Sequence, residues 1–153
     1  METRYFAQYD SSDNKVERVM VIETADGASE ADGIAICKDI YGNTQNFAEC
    51  FKTADGTSST RYNFPSKGFI WDSSNNCYKE ENGPYASWTL NTSNYQWEAP
   101  VAEPPYPDPD VEKCMDYKWD EPNLRWLKNP TLVDGDQHYT QYWDPATSTW
   151  KNI

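Results

Sequence analysis

Leucine occurs at only four of 153 positions, and no heptad of apolar residues recurs, so a helical bundle is excluded. Basic residues are also scarce: 13 Lys and Arg stand against 25 Asp and Glu, for a net charge of −12. A surface of that sign repels phosphate backbones and anionic bilayers, which argues against nucleic acid as a partner. No apolar run is longer than a few residues, so no membrane insertion is expected. The opening Met1-Glu2-Thr3-Arg4-Tyr5 lacks the basic and apolar regions of a secretory signal, and synthesis in the cytoplasm is the expectation. Cys37, Cys50, Cys77 and Cys114 contain no CxxC pair, which argues against a zinc ribbon or dithiol redox motif and leaves four free thiols. No glycine-rich phosphate loop occurs, and no nucleotide cofactor is expected.

Residue types that do chemistry are equally thin. The single histidine, His138, sits in a polar stretch (Gly135-Asp136-Gln137-His138-Tyr139) that reads as a solvated loop rather than a catalytic base. Carboxylates abound, but none has the apolar setting that would separate an acid from a base. Asp108, Asp110, Glu112 and Asp116 lie close together in sequence, yet their spacing does not match an EF-hand loop, and an acidic linker is the simpler reading. Between Glu98 and Glu121 eight acidic residues face only Lys113 and Lys118, a local peak of negative charge. The expectation is a chain without catalytic residues, metal or other cofactor.

What the sequence has instead is rings: seven Trp, eleven Tyr and five Phe make 15% of it aromatic, which also argues against disorder. Residues 4–9 and 16–23 alternate in the manner of strands, and Asp10 to Asn14 between them form a turn signal, so the chain should open with a β-hairpin. Ser29 is placed to cap a short helix reaching about Tyr41, with Ala31, Ile34, Ala35 and Ile40 on its inner side and Gly42 as its stop. Residues 45–52 read as another strand, followed by a polar loop over 53–60.

From Phe69 onward the sequence repeats. A hydrophobic anchor followed by Asp or Asn, five further residues and an aromatic occurs as Trp71-Asp72 with Tyr78, Leu90-Asn91 with Trp97, Trp119-Asp120 with Trp126, and Trp143-Asp144 with Trp150. Phe69, Trp88 and Tyr117 add a ring two residues before three of the anchors, Gln141 being the exception. Each unit reads as a hairpin in which Asp72, Asn91, Asp120 or Asp144 caps turn amides and the two rings face each other across the strands. A lone hairpin is marginal, so the units must pack on each other or on a partner. Trp71, Trp88, Trp97, Trp119, Trp126, Trp143 and Trp150 are therefore the packing or contact anchors.

Proline-rich stretches separate the units, the longest carrying five prolines between Pro100 and Pro109. The fold class expected is mainly β with one short helix (α+β), an N-terminal β-hairpin plus helix followed by repeated aromatic hairpins with Pro-rich linkers. Its segments are a hairpin-helix-strand module over 1–62, an aromatic hairpin pair over 63–100, a Pro/Asp-rich linker over 101–112 and a second hairpin pair over 113–153.

Three strings carry a resemblance: Gly68-Phe69-Ile70-Trp71-Asp72, Pro84-Tyr85-Ala86-Ser87-Trp88-Thr89-Leu90-Asn91, and Trp97-Glu98-Ala99-Pro100-Val101. With the opening Tyr5-Phe6-Ala7-Gln8 and the strand Val19 to Ile22, they resemble a family of small Trp/Pro-rich proteins of tailed bacteriophages of marine cyanobacteria and other marine bacteria. The sequence departs from that pattern around Asn75 to Glu80, where the family carries a Pro-rich approach. The resemblance implies a virion component or accessory protein that partners other capsid or tail subunits. The alternative is a glycan-binding module of a tail fibre or tail tip, since exposed rings can stack on the apolar face of a host-surface sugar.

Overall fold

The computed structural model describes residues 1–53, 60–105, 117–128 and 139–153. It is mainly β with a single helix and several small antiparallel sheets among these residues. Two compact units form: Met1–Asn82 with Leu90–Trp97, and Gly83–Thr89 with Glu98–Ile153. His138, Cys114 and the acidic group Asp108, Asp110, Glu112 and Asp116 lie outside the described residues, as do most of the polar loop after Thr53 and of the linker over 101–112.

In the first unit, strands β1 (Glu2–Tyr9) and β2 (Val16–Thr24) form the expected hairpin, and β3 (Asn46–Cys50) pairs with the other side of β1, all antiparallel, in the order β2-β1-β3. Both faces of this sheet are covered. Helix α1 (Glu30–Tyr41) packs on one face, where Phe6, Met20, Ile22, Cys37 and Phe47 are buried. On the other face Ala7, Val16, Ala48 and Cys50 close against Trp71 and Tyr78 of the hairpin β4 (Ile70–Asp72) and β5 (Cys77–Lys79). Alternation along β1 explains the two layers: Phe6 points one way, Tyr5, Ala7 and Tyr9 the other. Full burial of a ring such as Phe6 contributes roughly 1.5–3 kcal/mol.

The helix ends where the sequence indicates. The Ser29 hydroxyl accepts from the Asp32 N–H while the Asp32 carboxylate accepts from the Ser29 N–H, a reciprocal capping box, and Gly42 at φ 118° ends the last turn. Its buried side is not the expected one. Ala31, Ala35 and Ile40 are exposed, and Gly33 and Cys37 face the sheet with Ile34, Ile36 and Tyr41 beside them. The reason is close approach: a Cβ on Gly33 would overlap the Phe6 ring, so the helix rolls to bring its smallest residue onto the sheet.

An ionic network ties these layers together. Arg4 of β1 makes a bidentate pair with Glu49 of β3, and both side chains are largely buried, at 12% and 6% exposure. Glu30 in the first turn of α1 accepts from the Glu49 N–H at 2.9 Å and from Arg61 at 2.8 Å. Arg61 also donates to the Glu49 carbonyl and stacks 4.5 Å from the Trp71 ring. The Tyr78 hydroxyl donates to the carbonyls of Ala48 and Glu49 at 3.0 Å. These side chains occupy the outer edge of β3, so that edge is not open to a further strand. Cys37, Cys50 and Cys77 are free and buried, and burial pushes the Cys50 thiol up to about 12 and the Cys77 thiol up to about 11.

Hairpin β6 (Thr89–Asn91) with β7 (Gln96–Glu98) contributes Leu90–Trp97 to the first unit, where the Asn63 amide donates to the carbonyls of Tyr78, Asn94 and Tyr95. The second unit is built on a four-stranded antiparallel sheet of β8 (Tyr117–Asp120), β9 (Arg125–Lys128), β10 (Gln141–Asp144) and β11 (Thr149–Asn152), in the order β11-β10-β9-β8. No helix among the described residues is long and apolar enough to cross a membrane.

Candidate functional site

The repeat reads out as one turn used again and again. The residue five after each anchor adopts the left-handed conformation: Asn76 (φ 52°), Tyr95 (φ 56°), Leu124 (φ 49°) and Ser148 (φ 51°). Two residues later the second ring lies opposite the first, giving the pairs Trp71↔Tyr78, Trp119↔Trp126 and Trp143↔Trp150. A four-residue turn closed by one left-handed residue returns the chain with the register that brings positions seven apart together.

The same turn appears a fifth time, in the first hairpin and outside the four repeats aligned on tryptophan or leucine. Tyr9-Asp10 is followed by Asn14 at φ 59° and by Val16, which pairs with Tyr9. The signal was present, a Tyr-Asp followed at the same interval by a β-former, but neither position is tryptophan.

The turn residues Asp72, Asn91 and Asp144 cap as expected. Asp72 accepts from the Asn75 N–H at 3.2 Å, Asn91 from the Ser93 N–H at 2.8 Å and Asp144 from the Ala146 N–H at 3.0 Å, and Asp10 accepts from the Ser12 N–H at 2.7 Å. Asp120 does not: the residue two positions on is Pro122, which has no N–H, and the carboxylate turns to the Asn123 amide at 2.8 Å and the Arg125 guanidinium at 3.0 Å. Cross-strand ammonium groups complete two turns, Lys79 on Asp72 at 2.6 Å and Lys151 on Asp144. Burial works to raise the Asp72 carboxyl, but Lys79 and Asn75 hold it below its usual value, while Lys151 and then Thr147 lower Asp144.

The seven tryptophans divide between the units. In the first, Trp71 is buried at 7% exposure with its ring 4.7 Å from Tyr78, and Trp97 is half-buried with its indole donating to the Glu80 carbonyl at 3.2 Å. In the second unit, the register puts Tyr117, Trp119, Trp126, Lys128, Gln141, Trp143, Trp150 and Asn152 on one sheet face. The other face carries Lys118, Asp120, Arg125, Leu127, Tyr142, Asp144 and Lys151, with Arg125 4.7 Å from the Tyr142 ring.

That ring face has two ends. At one, Trp119 and Trp126 are 3% and 7% exposed, meet edge to face at 5.3 Å, and are covered by Trp88 at 6.3 and 6.0 Å. Glu121 fastens this end by accepting from the Ser87 N–H at 2.8 Å, its hydroxyl at 2.7 Å and the Trp119 indole at 2.7 Å. Those hydrogen bonds, the Ser87 hydroxyl's first, hold Glu121 below the usual carboxylate range. At the other end Trp143 and Trp150 pair at 5.4 Å and are only half-buried, with Tyr117 5.1 Å from Trp150. Edge-to-face ring pairs of this kind contribute about 0.5–1.5 kcal/mol beyond their burial.

Among the described residues no group of His, Cys, Asp and Glu is placed to hold a metal ion. One open depression of about 330 Å³ lies between Arg4, Tyr5, Glu49, Cys50 and Lys52, where Arg4 and Glu49 pair with each other, Lys52 stands over the Tyr5 ring and the thiol is buried. No family model, curated protein or solved structure matches the chain.

Proposed function

We propose that this chain is a non-enzymatic structural protein of a tailed-phage particle, docking on a repeated capsid or tail surface as a decoration or accessory subunit. The observation that carries the reading is the economy of the rings: five copies of one turn among the described residues, four of them capped by their own Asp or Asn, in which Trp71, Trp119 and Trp126 are spent on packing within small sheets. Among the described residues these small sheets offer ring-bearing faces, which suit contact with other proteins. The resemblance to small phage proteins points to the same place. The partners are other virion proteins, and the strong negative charge favours neutral or basic surfaces.

The glycan-binding alternative narrows to the half-buried Trp88, Trp97, Trp143 and Trp150, because the buried Trp71, Trp119 and Trp126 have no free face for a sugar. Mass spectrometry of purified particles, followed by averaged electron density, tests the proposal. Stoichiometric recovery with density on head or tail is the expected result. Absence from particles while the protein accumulates in infected cells overturns it.

A further inference from the structure

One edge of the three-stranded sheet in the first unit is open. The outer side of β3 is filled by Glu30, Arg61 and Tyr78, whereas β2 pairs with β1 alone among the described residues. Its outer side is taken only at its start, where the Val16 N–H donates to the Phe69 carbonyl at 2.7 Å and the Val16 carbonyl accepts from the Gly68 N–H at 2.8 Å. From residue 18 to residue 24, β2 is an edge strand whose alternate residues turn their backbone N–H and C=O away from β1.

Edges are ordinarily blunted by proline, lysine, a bulge or charges that reach outward. Residues 18–24 contain no Pro, Gly or Lys, and the register shift against β1 leaves out Glu17, before the stretch begins. The charged side chains in and beside it are drawn back over β1. The Gln8 amide donates to Glu17 at 2.6 Å, Arg18 donates to the Gln8 side-chain oxygen at 2.8 Å, and Glu23 accepts from the Thr3 hydroxyl at 2.7 Å. Val21 is left between them, 56% exposed.

We propose that this edge pairs antiparallel with the same edge of a second copy, joining β2 to β2 in one continuous sheet. Every copy that exposes the edge also supplies the strand that fits it, and that strand is described and unpaired in the structure. The register follows from two constraints. Residues directly opposite in an antiparallel pair lie on one sheet face, so a twofold pairing of like strands centres on a residue. The midpoint of the open stretch is Val21, and a centre there sets Val21 against Val21, Met20 against Ile22, Val19 against Glu23 and Arg18 against Thr24. A centre on Met20 carries Thr24 to Val16, whose backbone is already bonded to Gly68 and Phe69, and places Glu17 opposite Glu23. With Val21 at the centre no like charges stand opposite, and Met20 and Ile22 extend the apolar layer beneath α1 across the join. A single strand pair is a small contact, and two chains of charge −12 repel, so the dimer is weak in dilute buffer and strengthens with salt. The inference stands whether or not the protein sits on a particle.

Sedimentation of the full chain from about 10 μM to about 1 mM tests the pairing, with a monomer–dimer equilibrium expected in that range. Raising salt from about 0.05 M to about 0.5 M should tighten it. Val21→Lys, at an exposed site that opens no core, should weaken association at least about tenfold with an unchanged urea midpoint. Ile40→Lys, at an exposed apolar residue of α1, should leave association as it was. Independently of any variant, NMR of mixed isotope-labelled and unlabelled native chains should show contacts between copies from Val21 to Val21 and from Val19 to Glu23. A chain that stays monomeric throughout, association that Val21→Lys leaves intact or Ile40→Lys abolishes equally, weakening by salt, or contacts between copies at another strand each overturn the proposal.

Discussion

Ser148 gives the most exacting test of the repeated turn. It is exposed and holds φ at 51°, in the region where an L side chain crowds its own backbone. The left-handed conformation costs a non-glycine residue about 1–2 kcal/mol. Glycine removes that cost but gives up about 0.5–1 kcal/mol of chain entropy. Ser148→Gly should therefore stabilise the second unit by about 0.5–1 kcal/mol, and Ser148→Val should destabilise it, because a β-branched residue fits that region worst. In urea unfolding followed by tryptophan fluorescence, the glycine gain is a rise in midpoint on the order of 0.5 M. Asn14→Gly and Asn76→Gly are the internal comparison: asparagine already tolerates this conformation, so neither should move the midpoint by more than a small fraction of the Ser148 effect. A lower midpoint for Ser148→Gly, or equal gains at all three positions, would refute the reasoning.

Other outcomes follow from the first unit and from the titrating groups. Gly33→Ala should destabilise by about 1–3 kcal/mol in thermal or urea melts, despite alanine's better helix propensity, because the methyl meets the Phe6 ring. Arg4→Met should cost about 3–5 kcal/mol by leaving Glu49 charged and buried, and Arg4→Met with Glu49→Leu should recover much of the loss. Asp10, Asp32, Asp144 and Glu121 are held below their usual values by hydrogen bonds, the first causes being the Ser12 N–H, the Ser29 hydroxyl, Lys151 and the Ser87 hydroxyl. A carboxylate lowered by folding contributes stability that is complete above its unfolded value and vanishes as pH falls through the folded one. The urea midpoint should thus be flat above about pH 5 and fall steadily below about pH 4. Cys37, Cys50 and Cys77 should resist a thiol reagent at pH 8 in the native chain and react in urea, so that at most one thiol per folded chain is titrated.

Much of this fold is legible in the sequence because its rules are local. The seven-residue interval fixes which rings meet, the Asp or Asn after the anchor supplies its own turn cap, and Ser29 with Asp32 and Gly42 brackets the helix. What escaped was what depends on contacts distant in sequence or on a single atom. Apolar periodicity points to Ile40 on the inner side of α1, whereas close approach at Gly33 decides the roll and leaves Ile40 exposed. At Asp120 the cap through the residue two on is lost because Pro122 lacks the hydrogen, and the carboxylate takes the Asn123 side-chain amide and Arg125 instead. Arg4, Glu30, Glu49 and Arg61 come from separate elements, and no spacing announces that they converge. The division of the ring face into a covered and a half-covered end needed the strand order, which repeats alone do not set.

Five turns, each closed by one left-handed residue, set the register of the hairpins, and NMR of the native chain measures this directly. Intermediate HN–Hα couplings, larger than those of a right-handed helix, with strong intraresidue HN–Hα contacts at Asn14, Asn76, Tyr95, Leu124 and Ser148, together with ring contacts for Trp71–Tyr78, Trp119–Trp126 and Trp143–Trp150, are the predicted result. Helical contact patterns across these segments, or rings that find no partner seven residues away, would contradict it.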